Sequence, residues 1–224
     1  MDFMKLLKSF EELLYEVLSW FVFYPMTLWR AVRHPQQSVR RATAIAADDE
    51  AAEDDGMSPP LFLLITLLIA HGIEIAIRHG AAPDRLPPLL QKDSNLLLTR
   101  AILFCIFPLV MAVLSLRGRG AALNRTTLRA PFFGQCCLVA PTALAVSAGA
   151  ILLHLDAPAA VLAAAAIVGA ATVWYLAVEV RWFAHTLGCR RGRAARLAVG
   201  GYLLSVAIFF AANLLIALAT PGAG

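Results

Sequence analysis

The stretch Leu61-Phe-Leu-Leu-Ile-Thr-Leu-Leu-Ile-Ala70 follows Ser58-Pro59-Pro60 and continues through His71-Gly72-Ile73-Glu74 to Arg78. It is the first long apolar run of the chain. Everything before it carries polar residues at helical intervals, and four further apolar runs follow with short polar joints between them. A helix that crosses the hydrocarbon core of a bilayer takes roughly 20 apolar residues. Such runs lie at about 61–78, 96–116, 132–153, 158–180 and 197–219. They are continuous and Leu/Ala-rich, without the apolar/polar alternation of barrel strands. The fold expected is therefore an all-α integral membrane protein, a five-transmembrane-helix bundle preceded by an N-terminal amphipathic interfacial helix.

Composition agrees. Of 224 residues, 60% are hydrophobic and 15% charged, and mean hydropathy is +0.72, far from the average of soluble domains. The net charge of +4 comes from 19 basic residues, and their placement reads as topology. Fifteen fall before the first run or in the joints between runs two and three and between runs four and five. Those joints hold Arg117, Arg119, Arg125 and Arg129, and then Arg190, Arg191, Arg193 and Arg196. The opposite side holds Arg78, Arg85, Lys92 and Arg100. Positive charge is retained in the cytoplasm, so the N-terminus is expected inside and the C-terminus outside. The Arg- and Ala-rich composition suggests a bacterial chain, and hence the inner membrane.

Ahead of the spans, Phe3, Leu6, Leu7, Phe10, Leu13, Leu14, Val17, Leu18 and Phe21 recur every three or four residues, opposite Lys5, Lys8, Glu11, Glu12 and Glu16. This is an amphipathic helix. The charges within it argue against a cleavable signal peptide. Trp20, Phe21, Tyr24, Trp29, Arg30 and Arg33 place aromatics beside cations, which suits the headgroup layer. Residues 1–35 are thus expected as an interfacial anchor on the bilayer, helped by anionic lipid. The alternative is that the same stripe packs on the bundle or on a second copy of the chain. Residues 36–60 are expected as an acidic flexible linker, because six carboxylates within 48–55 repel one another and lack apolar anchors.

Inside the membrane domain, residues 61–219, the most unusual polar set is His71, Glu74 and Arg78. Spaced i, i+3 and i+7, they share one helical face. Glu74 lies about 20 Å along the helix from Leu61, at ~1.5 Å per residue. The set is a candidate transport site or, alternatively, an arginine-compensated carboxylate at a helix end. Pro108 and Pro141 are expected to bend their spans. The small residues of 159–171 point to the fourth span as the central packing helix. Asn213 is expected to bond another helix. Trp174, Tyr175 and Trp182, with Glu179 and Arg181, are expected at the cytoplasmic interface. The four cysteines are taken as packing residues; no catalytic motif, cofactor site or metal site is discernible, and no nucleic-acid partner is expected.

The segment Phe21-Val-Phe-Tyr-Pro25, with His34-Pro35, five closely spaced spans and the basic turn Leu187-Gly-Cys-Arg-Arg-Gly-Arg leading to Gly201-Tyr202, resembles the Yip-domain family of membrane proteins. Where family members often carry a proline after the Gly-Tyr pair, this chain has Ser205-Val206. The resemblance implies fold and topology. In eukaryotes it also implies partnership with Rab GTPases in vesicle traffic, a partner absent from bacteria. The function expected is a non-enzymatic membrane scaffold or bilayer-organising protein, with lipid and either a second copy or another membrane protein as partner. The alternative is a permease or transporter subunit that uses His71, Glu74 and Arg78. A minor third reading, an intramembrane enzyme or haem protein, lacks any HExxH motif.

Overall fold

The computed structural model describes residues 2–46, 57–78, 93–155 and 157–219. Seven helices are present among them: α1 (Asp2–Arg33), α2 (Pro35–Ile45), α3 (Pro59–Arg78), α4 (Asp93–Gly118), α5 (Arg125–Leu152), α6 (Pro158–Thr186) and α7 (Arg191–Ala219). The last five are long and apolar enough to cross a membrane, so the chain is a multi-pass membrane protein. Each helix closes its own backbone hydrogen bonds, which is the condition for standing in hydrocarbon. Pro108 and Pro141, expected to bend α4 and α5, lie inside continuous helices.

Two joints are built alike. Gly120 (φ 66°) and Gly188 (φ 56°) sit in the left-handed region, where a side chain would clash and glycine does not. Beside them the Ala121 N–H donates to the Leu116 carbonyl over 3.1 Å, and the Cys189 N–H to the Ala184 carbonyl over 3.2 Å, which satisfies carbonyls that the helix end leaves open. The next helix, α5, is capped by Asn124, whose Oδ1 accepts from the Thr127 N–H at 2.8 Å while the Asn124 N–H donates to Thr127 Oγ1 at 3.2 Å. A Cβ on Gly118 would lie 2.9 Å from Leu187 Cδ1. The two joints therefore touch, and the arginines that charge counting placed together do share one end of the bundle.

At that end α2 docks, and here the expected linker needs correction. Residues 36–45 are helical, with Val39, Ala42 and Ile45 buried. Val39 packs on Gly134 of α5 so closely that a Cβ there would lie 2.9 Å from Val39 Cγ1. Gln36 Nε2 donates to the Val178 carbonyl over 3.0 Å, and the Arg40 guanidinium stands 3.2 Å from His185 Nε2. Three apolar residues spaced by three, behind a proline in the first turn, suffice to make a docking face. The acidic run 48–55 lies outside the described residues.

The packing helix at the centre is also different from the one expected. Helix α5 touches α2, α3, α4 and α6 and buries eleven residues, among them Gln135, Cys136, Leu138 and Ala140. By contrast, α6 turns much of its small-residue face outward, with Leu162 73% and Val173 68% exposed. Helix α7 lies at the side against α4 and α6, where Gly201 admits Met111 and Leu114. None of the four cysteines forms a disulfide, and Cys136 and Cys137 are buried.

Candidate functional site

Two polar clusters occupy the bundle. The first is the one singled out in sequence. His71 and Glu74 are both buried, at 4% and 5% exposure, one helical turn apart on α3. Glu74 forms an ion pair with Arg100 of α4. The side chain of Arg78, expected as its partner, lies outside the described residues. Neither ring nitrogen of His71 has a hydrogen-bond partner among the described residues. Carboxylate and guanidinium thus come from consecutive spans at the end away from α2. Pairing holds each charge where hydrocarbon alone would reject it.

The second cluster is the one that sequence reading missed. Glu179 of α6 and Gln135 of α5 are buried to 0% and 1% exposure, and Gln135 Nε2 donates to Glu179 Oε2 at 3.3 Å. One turn along α6, Tyr175 is buried to 1% exposure. Glu179 Oε1, Gln135 Oε1 and the Tyr175 hydroxyl find no partner among the described residues. Glu179 and Tyr175 therefore belong to the core, whereas the sequence placed them at the cytoplasmic interface. The signal was present. Tyr175, Val178, Glu179, Trp182 and Phe183 are spaced i, i+3, i+4, i+7 and i+8 and are all buried, so a carboxylate stands in the middle of an apolar stripe. Asn213 also departs from expectation, since its Nδ2 donates to the Phe209 carbonyl of its own helix at 2.7 Å.

The interfacial set divides in two. Trp20 and Tyr24 pack on the core together with Phe23 and Leu28, and the Tyr24 and Phe62 rings lie 5.5 Å apart. A cleft lined by Val17, Trp20, Phe21 and Tyr24 of α1 faces Ile65, Leu68 and Ile69 of α3. The packing alternative therefore holds for the second half of α1. Phe21 and Trp29 stay exposed, and Arg33 stacks over the Trp29 ring at 4.8 Å. Farther out, Leu7, Phe10, Leu14 and Leu18 remain exposed, so the first half of the stripe is not covered by the bundle. All eight joint arginines are exposed: Arg117, Arg119, Arg125, Arg129, Arg190, Arg191, Arg193 and Arg196. Arg129 lies over the Phe133 ring at 5.4 Å.

Comparison of the chain with protein-family models, with curated proteins and with solved structures finds no match. The functional reading rests on the geometry above.

Proposed function

We propose that this protein is a non-enzymatic bilayer-organising scaffold of Yip-like architecture. Its α1 inserts an amphipathic face into the cytoplasmic leaflet beside the bundle. The observation that carries the reading is the division of α1: Trp20, Phe23, Tyr24 and Leu28 are seated on the core, while Leu7, Phe10, Leu14 and Leu18 present an apolar stripe that the bundle leaves open. A rigid membrane domain that holds such a stripe beside its own spans adds area to one leaflet. Exposed arginines at the α2 end attract anionic headgroups, each contributing about 1 kcal/mol near such a surface. The apolar stripe supplies the rest of the anchoring. The Yip-like assignment rests on the resemblance of the basic turn and Gly201-Tyr202, with pre-membrane helices ahead of five spans.

The test is reconstitution of the full chain into vesicles of mixed neutral and anionic lipid. An environment-sensitive dye on Phe10→Cys is expected to report burial in lipid, and vesicles are expected to narrow or tubulate with protein density. Leu14→Glu with Leu18→Glu is expected to abolish both effects while the five spans remain inserted. Unchanged dye burial and vesicle shape in that variant would sink the proposal.

The buried His71, which has no hydrogen-bond partner among the described residues, beside the Glu74–Arg100 pair favours the permease as a second reading. Under it, Glu74→Gln keeps the shape and removes the charge, abolishing a pH-dependent solute flux in well-folded protein.

A further inference from the structure

Helices α4, α5, α6 and α7 line a cavity of about 220 Å³ that opens on the bundle surface, larger than the engineered apolar cavity of ~150 Å³ that stays dry and takes up benzene. Its wall includes Phe104, Phe107, Tyr175, Tyr202, Phe209 and Phe210. Aromatic contacts hold that wall together, with Phe107 and Tyr202 ring centres 6.0 Å apart, Tyr175 and Tyr202 6.1 Å, and Phe104 and Phe209 5.9 Å. Phe210 is 66% exposed on the bundle's outer surface. In a protein that spans a membrane, the medium meeting that surface is hydrocarbon rather than water. An apolar void this large, left empty, would forfeit dispersion contacts along its whole lining.

The two ends of the cavity differ. Tyr175 and Tyr202 each lie eleven residues from the joint between α6 and α7, about 16 Å at the helical rise, while Phe210 lies about 28 Å from it. At the tyrosine end, the Tyr202 and Thr172 hydroxyls are 3.4 Å apart. The buried Tyr175 hydroxyl has no partner among the described residues, and one turn beyond it stand the open oxygens of Glu179 and Gln135. A buried donor without an acceptor among the described residues therefore stands on the wall of an aromatic sleeve. Buried polar groups in this condition are costly unless something completes them.

We propose that the cavity binds a lipophilic alcohol taken from the bilayer, a single hydrocarbon chain in the aromatic sleeve with an uncharged hydroxyl at the tyrosine end. A hydroxyl both accepts and donates, so it accepts from the Tyr175 O–H and donates its own hydrogen to the Tyr202 hydroxyl on the same wall. An ionised head would bring a further charge into hydrocarbon. Two membrane sources share this chemistry, acylglycerols with a free hydroxyl and long-chain prenyl alcohols.

The experiment uses the full chain in phosphatidylcholine nanodiscs, with a dodecanol carrying a mid-chain diazirine and the matching diazirine alkane. On illumination, the alcohol is expected to label α4 around Phe104 and α7 between Tyr202 and Phe210 at least fivefold more than the alkane does. Ala143→Phe, which fills the cavity from α5, is expected to remove that labelling, and Val168→Phe does the same from α6 if the first variant fails to insert. Tyr175→Phe is expected to bring the alcohol down to the alkane's level while thermal stability is kept. Competition by dioctanoylglycerol or by farnesol then names the source. Equal labelling by alcohol and alkane, adducts confined to outward residues such as Leu162 and Val173, no loss on filling the cavity, insensitivity to Tyr175→Phe, or competition by neither compound would each overturn the proposal.

Discussion

Gln135 on α5 reaches across the bundle to Glu179 on α6, its Nε2 donating to Oε2 at 3.3 Å, with both side chains sealed from the surface. Among the described residues neither side chain has another hydrogen-bond partner, and each leaves one oxygen open. Truncating one side strands the other. Gln135→Leu is expected to lower stability by about 1–3 kcal/mol, the cost of leaving a buried polar group unmet. The double variant Gln135→Leu/Glu179→Leu is expected to recover most of it, because two apolar residues need no partners. Thermal unfolding in a mild detergent reads both; additive losses in the double variant would contradict the coupling.

Glu74 and Arg100 hold each other between α3 and α4. A double-mutant cycle with Glu74→Gln and Arg100→Gln is expected to show a coupling of about 0.5–3 kcal/mol in the same assay. A cycle of Glu74→Gln with Arg119→Gln, whose arginine bonds Ser115 within α4 at 2.8 Å, is expected to be additive.

Helix α2 is held to α5 by the close seat of Val39 on Gly134. Gly134→Leu fills that seat. Amide exchange over residues 36–45 is expected to accelerate by tenfold or more in the variant, while α5 and α6 keep their protection. Unchanged exchange would show that α2 is anchored by Gln36 and Arg40 alone.

The joint at 119–124 shares one end of the bundle with the Leu187–Arg190 joint, and the turn at 153–155 lies at the other end. If the arginine-rich end faces the cytoplasm, as the charge distribution leads one to expect, a thiol at Leu155, exposed in the structure, reacts with a membrane-impermeant maleimide added to intact cells. A thiol at Ala121, also exposed, reacts only after permeabilisation. Cys189 is replaced by Ser in both variants, the remaining cysteines lying inside spans. The reverse pattern would invert the topology.

The sequence determined the five spans, their order and the joints that share an end. These follow from local quantities: an apolar run about as long as the bilayer is thick must close its own hydrogen bonds as a helix, and exposed arginines collect where there is water. The amphipathic period of α1 was equally legible. Residues 36–45 were legible in part, since Val39, Ala42 and Ile45 stand at helical spacing, but Gln36, Gln37, Arg40 and Arg41 outweighed them in composition. What a stripe rests against is not written in its own spacing. Only the tertiary structure decided that Glu74 meets Arg100 of the next span, and that α5 rather than the alanine-rich α6 is the centre. It alone brought Glu179 to Gln135, forty-four residues away. Hydropathy tells which medium a residue prefers. Which partner completes a buried carboxylate depends on how helices distant in sequence come to lie side by side, and that is set by the packing of whole faces.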